Sequence, residues 1–207
     1  MSEGLKSFKL LASPDLVSEL IAFIEIELPN WVYSSEFNAL LVKKKNENQH
    51  SLAFCLYMTN KCRSDFCFVR ENAQKGSSVI DIGVYKGANL IFTIEAKILP
   101  TPKGKKTRSE FEYVYGKGGG IQRFKDGNHG LDNNDDYLDD NGLLGFIKEN
   151  EFEFWLEKVN QWIRDVNWES TEILEKQYFN AIGKLKSRHS RINGQEVSLH
   201  HFWVKVS

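Results

Sequence analysis

Apolar residues along the N-terminal third of the chain recur at helical spacing. In SPDLVSELIAFIEIELP they recur every three or four residues from Leu16 to Leu28, which is typical of an amphipathic helix. Ser13 is placed to cap this helix, Pro14 suits its first position, and Pro29 is expected to end it. The spacing therefore predicts a well-delimited first helix.

A second helix is predicted over ENQHSLAFCLYMTNK, with Leu52 and Leu56 expected to face inward. Three strand-like runs follow, DFCFVRE, SSVIDIGVY and NLIFTIEAKIL. The last two are rich in β-branched residues and are separated by KGA, which is short enough for a hairpin.

The C-terminal half continues this alternation of helices and strands. GGGIQRFKDG predicts a short helix, LLGFIKE a strand, and FEFWLEKVNQWIRDV an amphipathic packing helix. A helix around Thr171 to Leu185 and a final strand, EVSLHHFWVKV, are expected to close the chain. Because no repeat and no linker interrupts the pattern, we expect one α/β domain over residues 1–207.

Composition narrows the class of protein without identifying a partner. The 207 residues suffice for a sizeable core, and a formal net charge of −1 means that any basic surface is local. No apolar run reaches the length of a membrane span, so a cytoplasmic protein is expected. The three cysteines form no C-x-x-C pair and are expected to be buried thiols.

Candidate chemistry lies in the predicted hairpin. Side chains two apart on a strand share a face, so Glu95 and Lys97 point the same way. A turn centred on KGA places Asp81 across from about Ile94, one residue from Glu95. The hairpin is therefore expected to gather Asp81, Glu95 and Lys97 at one edge of a sheet.

This combination of residues suits a metal-dependent hydrolase. Two carboxylates can bind Mg²⁺, which prefers oxygen ligands, and the backbone carbonyl of Ala96 between Glu95 and Lys97 is a further candidate ligand. The cation lowers the pKa of a bound water and neutralises charge on a phosphate. Lys97 can orient the attacking water or help to deprotonate it.

SSVIDIGVY followed by IFTIEAKIL resembles the PD-(D/E)XK nuclease superfamily, the restriction-endonuclease-like fold. That core runs helix, three strands, helix, strand, with a mixed central sheet flanked by helices. The predicted elements have this order over about residues 46–149, leaving a helical extension (1–45) and C-terminal helices and a strand (150–207). The proline that often precedes the first aspartate is replaced by Ile80.

The resemblance implies a deoxyribonuclease that uses Mg²⁺ or Mn²⁺, with Asp81 and Glu95 as ligands. The superfamily often adds a glutamate from the first core helix, for which Glu47 is the candidate and Glu36 the alternative. Gln122 and Arg123 lie on the short helix that covers the active site in the superfamily. There Gln122 would hold the attacking water and Arg123 would clamp phosphate.

A longer pattern, from EAKILP through YVYGKGGGIQRF and SRHSR to VSLHHFWV, also resembles an uncharacterised group of bacterial nuclease-like proteins with this core. A role in bacterial defence, alone or with other defence-system subunits, follows only by analogy. Two alternatives stay open: a non-catalytic module that binds nucleic acid or protein, and a subunit of a larger restriction or toxin complex. A homodimer is also compatible with the sequence.

Basic residues cluster beside the candidate site. Residues 97–125 contain eight Lys or Arg against two Glu, a pattern that either follows a phosphate backbone or belongs to a solvated loop. The candidate nucleic-acid contacts, including two residues of the C-terminal SRHSR stretch, are Lys105, Lys106, Arg123, Lys125, His189 and Arg191.

Overall fold

The computed structural model describes residues 14–43, 46–63, 65–102 and 109–206. Its helices are α1 (Pro14–Val32), α2 (Ser35–Val42), α3 (Glu47–Lys61), α4 (Gly120–Lys125) and α5 (Phe152–Asp165), with a short 3₁₀ helix at Ser170–Glu172. Its strands are β1 (Phe66–Ala73), β2 (Val79–Lys86), β3 (Asn89–Leu99), β4 (Asp140–Ile147), β5 (Glu175–Phe179), β6 (Gly183–Ser190) and β7 (Glu196–Lys205).

All these strands form one seven-stranded sheet in the order β1-β2-β3-β4-β7-β6-β5. The β1-β2-β3 and β7-β6-β5 portions are antiparallel, whereas β4 runs parallel to both of its neighbours, β3 and β7. The sheet is therefore mixed and has helices packed on it, which confirms the α/β class. Because helices cover both faces of the sheet at its centre, β3 and β4 are buried along nearly their whole length.

Two apolar cores lie against the two faces of this sheet. Helices α1 to α3 cover one face, where Ala96, Ile98 and Phe202 point, and α4 and α5 cover the other, where Leu199 and Trp203 point. The alternation along β7 follows from the two-residue period of a strand. Glu95 and Lys97 consequently lie on the α4 face of β3.

Two expectations for the N-terminal helices were wrong. Helix α1 does not end at Pro29 but continues to Val32, because Trp31 in its last turn is fully buried and offsets the one hydrogen bond that proline lacks. Leu52 and Leu56 are 47% and 58% exposed, because α3 turns the face that bears Phe54 and Met58 toward the sheet. The proposed cap, Ser13, lies outside the described residues.

The C-terminal helix expected around Thr171 to Leu185 was also wrong. That stretch contains the 3₁₀ helix, β5 and the start of β6, because β6 pairs with β7 over the whole of its length. Long-range pairing decided the structure of a segment whose local spacing favoured a helix.

The cysteines are free thiols as expected, but only Cys55 is buried and Cys67 is exposed. None of the described helices is both long and apolar enough to cross a membrane.

Candidate active site

A β-bulge in the β2–β3 hairpin sets the position of Asp81. The turn is Gly87–Ala88, where Gly87 adopts a left-handed φ of +59°, and Lys86 pairs with Asn89 beside it. Between Val84 and Tyr85 the register shifts, so that Ile82 pairs with Ile94. Continued by one residue, this register brings Asp81 level with Glu95, one position from the Ile94 partner that the sequence predicted.

Beyond Ile94, side-chain carboxylates take the place of a neighbouring strand along β3. The Ala96 N–H donates to Asp81 Oδ2 at 2.8 Å, and the Ile98 N–H donates to Glu47 Oε2 at 2.9 Å. In a strand, the N–H and C=O of one residue point to the same side, so the Ala96 carbonyl faces this side as well. The structure thus places three of the predicted candidates, Asp81, Glu47 and the Ala96 carbonyl, at the same edge of β3.

The N-terminus of α3 holds Glu47 at this edge. Asn46 and Gln49 form a reciprocal capping box, which defines Glu47 as the first residue of the helix. Arg70 of β1 donates to the Asn48 carbonyl at 3.0 Å and ties the same end of the helix to the sheet. The alternative candidate, Glu36, accepts from Ser35 on α2 instead.

Glu95 is the most enclosed acidic group of the site, with an exposed fraction of 1%. Its Oε1 accepts from Lys97 Nζ at 2.5 Å and from Arg123 Nη1 at 2.9 Å. Its Oε2 lies 3.4 Å from His129 Nδ1 and has no hydrogen-bond partner among the described residues. Oε1 therefore accepts two hydrogen bonds, whereas Oε2 is buried with His129 as its basic neighbour.

The charges of the site shift one another's pKa values in opposite directions. Burial raises the pKa of Asp81 to about 7, and the nearby charge of Glu95 adds to this increase. Burial would also raise the pKa of Glu95, but Lys97, His129 and Arg123 outweigh it and lower this pKa to about 2. For Lys97, burial opposes the charged form, yet Glu95, Asp81 and Glu47 together raise its pKa.

Helix α4 contributes Arg123, but it does not bring Gln122 to the carboxylates. The Gln122 side chain donates to Asp126 Oδ1 at 2.7 Å, at the end of the same helix. Arg123 reaches Glu95 and keeps 34% of its side chain exposed. Of Gln122 and Arg123, only Arg123 contacts an acidic group of the site.

The other predicted nucleic-acid contacts lie in several places. Lys125 pairs with Glu172 and lies over the Trp168 ring. His189 and Arg191 are 1% and 3% exposed, and Arg191 donates to the carbonyls of Leu138 and Glu196. Their described contacts are with protein groups, so a role in binding nucleic acid stays a prediction. Lys105 and Lys106 lie outside the described residues.

His129 is a residue of the site that was not predicted from the sequence. It follows α4 in the tight segment DGNHG, between Gly127 and Gly130, both of which adopt positive φ. Its N–H donates to the Arg123 carbonyl at 3.2 Å, which ties the loop back to α4. The paired glycines indicated a sharp turn, but nothing local indicated that the turn folds back onto Glu95.

Within the described ranges, no group of three or more His, Cys, Asp or Glu side chains has the arrangement of a ready-made metal site. The chain matches no protein-family model, and comparison with curated proteins and with solved structures gives no match either.

Proposed function

We propose that the protein is a nuclease of the PD-(D/E)XK type that hydrolyses DNA with Mg²⁺ or Mn²⁺. One observation carries this proposal: Asp81 and Glu47 converge on the open edge of β3, beside the buried pair of Glu95 and Lys97. The order α3, β1 to β3, α4 and β4, with β4 parallel to β3, supports a restriction-endonuclease-like core.

The donor atoms of this edge fit a hard divalent cation. Asp81, Oε2 of Glu95, the Ala96 carbonyl and Glu47 all offer oxygen ligands of the kind that Mg²⁺ prefers. Two features favour such an occupant: the raised pKa of Asp81, which burial causes first and the charge of Glu95 second, and the buried Glu95 Oε2 without a hydrogen bond among the described residues. A cation would relieve both, because it adds positive charge where carboxylates are crowded.

When bound, the cation would supply an acidified water and a counter-charge for the phosphate. Lys97 remains charged beside Glu95, so its role is to orient the nucleophile and to stabilise negative charge. Arg123 binds Glu95 through Nη1, and its partly exposed guanidinium has further N–H groups to offer a phosphate oxygen. Asp81 and Glu47 would hold the cation from two different elements, β2 and α3.

The decisive experiment measures cleavage of plasmid, linear duplex, single-stranded DNA and RNA with Mg²⁺ or Mn²⁺. We expect Glu95→Gln and Lys97→Met to lose at least about 100-fold in rate, as removal of one electrostatic catalytic group commonly does. Glu157→Gln, an exposed change on α5, is the matched control. Equal cleavage by wild type and both site variants would reveal a contaminant and overturn the proposal.

A non-catalytic binding module is the second candidate, and the full engagement of Glu95 Oε1 by Lys97 and Arg123 favours it. Metal binding separates the two functions. Under the nuclease proposal, Mn²⁺ raises the melting temperature of the wild type by mass action, whereas Asp81→Asn loses this rise. A module without a metal site shows no rise in either protein.

A further inference from the structure

A chain of buried polar side chains crosses the core on the α4 face of the sheet. Trp203 Nε1 lies 2.8 Å from Tyr113 Oη, which lies 2.8 Å from His201 Nδ1. His201 Nε2 lies 2.8 Å from Ser187 Oγ, which in turn lies 2.7 Å from His189 Nε2. Each of these residues is at most 4% exposed, so water does not compete for their hydrogen bonds.

The direction of donation in this chain follows from its first member. Indole is only a donor, so Trp203 donates to Tyr113, and the Tyr113 hydroxyl donates in turn to His201 Nδ1. His201 is neutral, because burial lowers its pKa well below the usual value, and it therefore donates from Nε2 to Ser187. Ser187 then donates to His189 Nε2, which leaves the proton of His189 on Nδ1.

The proton on His189 Nδ1 faces Glu172, the acceptor at the end of this series of hydrogen bonds. His189 Nδ1 lies 3.5 Å from Glu172 Oε1, an electrostatic contact rather than a good hydrogen bond. The same Oε1 accepts from the Ser190 N–H at 3.0 Å and from Lys125 Nζ. Glu172 is thereby held by β6 and in turn holds Lys125, the last residue of α4.

The other part of the network controls the beginning of α4. The segment that contains Tyr113 caps this helix with its backbone, because the Glu112, Tyr113 and Val114 carbonyls accept from three successive N–H groups, those of Gly120, Ile121 and Gln122. A Cβ on Gly119 would lie 2.5 Å from the Tyr115 backbone, which shows how closely the two segments approach. Tyr113 therefore joins the buried network to the N-terminal end of α4.

A six-residue helix needs such support. Isolated helices of this length are unstable in water, so α4 depends on its contacts at both ends. Arg123 lies in the middle of α4, and its reach to Glu95 depends on the position of the whole helix. The network from Tyr113 to Glu172 connects both anchored ends.

We propose that Tyr113 and Glu172 are positioning residues that hold α4, and through it Arg123, against Glu95. The effect on cleavage rests on the nuclease function proposed above, but the positioning itself does not. Glu172 acts through its ion pair with Lys125, and Tyr113 acts through the carbonyls that cap α4. Among the described residues, neither contacts the carboxylates of the site.

The first test observes Arg123 directly and needs no activity. In wild type, the guanidinium N–H signals of Arg123 should exchange slowly with water in a ¹⁵N NMR experiment, because Glu95 holds them. Glu172→Gln and Tyr113→Phe should each speed this exchange at least about tenfold, while the amides of Ala96 and Ile98 on β3 keep their protection.

Two matched controls accompany these variants. Glu153→Gln removes a carboxylate that pairs with an exposed lysine, Lys176, and Tyr115→Phe removes the hydroxyl of the neighbouring tyrosine. Both should leave the Arg123 signals unchanged. Unchanged exchange in the test variants would overturn the proposal, and so would an equal loss of protection along β3, which would indicate general destabilisation.

The second test uses cleavage. Glu172→Gln should lower kcat about tenfold with KM within twofold, and it should add little to the loss already caused by Arg123→Lys, because both act through one contact. Independent, multiplicative losses would overturn the positioning role. If the wild type cleaves nothing, the nuclease proposal fails while the Arg123 exchange experiment still decides the positioning.

Discussion

At the residue scale, the candidate site offsets the cost of burying a carboxylate with nearby positive charge. Glu95 is enclosed in the core, where an unpaired carboxylate would be very costly, and three basic side chains surround it. Asp81 lacks an equivalent set of partners, so its pKa rises while that of Glu95 falls. The same chain thus holds one strongly acidic and one weakly acidic carboxyl group side by side.

Removing Lys97 should expose the cost of burying Glu95. We expect Lys97→Met to lower the free energy of unfolding by about 3 kcal/mol, the lower range for breaking a buried ion pair, because Arg123 still compensates part of the charge. Urea denaturation measures this loss. Adding Glu95→Gln to Lys97→Met should recover part of it, and Lys176→Met, from the exposed pair with Glu153, should change stability by less than about 1 kcal/mol. A free energy of unfolding equal to that of wild type in Lys97→Met would contradict this prediction.

A second buried lysine lies on the opposite face of the sheet. Lys184 Nζ lies 3.2 Å from Glu25 Oε1, 3.3 Å from His200 Nδ1 and 4.0 Å from the centre of the Phe202 ring. Burial outweighs the attraction of Glu25 and lowers the pKa of Lys184 from 10.5 to about 8. The unfolded chain therefore binds more protons than the folded one between these two pH values, and stability rises with pH across that window.

Lys184→Met should remove this dependence. At pH 7 we expect the variant to be more stable than wild type by up to about 3 kcal/mol, and this advantage should shrink as pH rises from about 8 to about 10.5. Urea denaturation of both proteins across this range measures the difference, with Lys176→Met as the exposed control. A difference that stays constant with pH would show that Lys184 keeps its ordinary pKa in the folded protein.

At the element scale, two irregular features create the site. The bulge between Val84 and Tyr85 brings Asp81 level with Glu95, and the segment that caps α4 allows a six-residue helix to present Arg123. Both are formed by hydrogen bonds of the backbone. A change in either should therefore disturb the site without touching a charged residue.

Gly119→Ala tests the close approach at the start of α4. The added Cβ would lie 2.5 Å from Tyr115 backbone atoms, which cannot move aside as a flexible side chain can. We expect a loss of about 2 to 3 kcal/mol in urea denaturation, in the range of overpacking. Gly87→Ala is the comparison, because its Cβ would meet nothing within 4 Å and only its positive φ costs about 1 kcal/mol. Equal losses would contradict the close approach.

At the scale of the whole molecule, one sheet separates two cores and belongs to both. Strands β3, β4 and β7 present alternate side chains to the α1–α3 layer and to the α4–α5 layer. Neither layer can lose its packing without exposing one face of the same strands. This arrangement predicts that the two cores unfold together.

Tryptophan fluorescence provides a test of this coupling. Trp31 is fully buried on the α1–α3 side, whereas Trp155, Trp162 and Trp203 lie on the other side. In Trp31→Phe, fluorescence reports mainly on the α4–α5 side, and its urea midpoint should coincide with the midpoint from far-ultraviolet circular dichroism. The same coincidence is expected in wild type. Separate midpoints would indicate that the two layers unfold independently.

The sequence by itself determined the local features of this protein. Helical spacing located α1, α3 and α5, β-branched runs located β2 and β3, and the two-residue period of a strand placed Glu95 and Lys97 on one face. The hairpin pattern placed Asp81 within about one residue of its position opposite Glu95, whereas Glu47 was a candidate only through the resemblance to the nuclease superfamily. These features depend on residues that are close in sequence, so a local sequence pattern is sufficient to predict them.

Only the tertiary structure decided which distant groups meet. The fold-back of His129 onto Glu95, the contact of His189 with Glu172, and the contacts of Arg191 with Leu138 and Tyr137 all join segments that are apart in the chain. No local spacing distinguishes a basic residue on the surface from one enclosed by a later strand. The exposure of each charged side chain and the identity of its partners therefore depend on the complete sheet, because the energy of a charged group depends on what surrounds it.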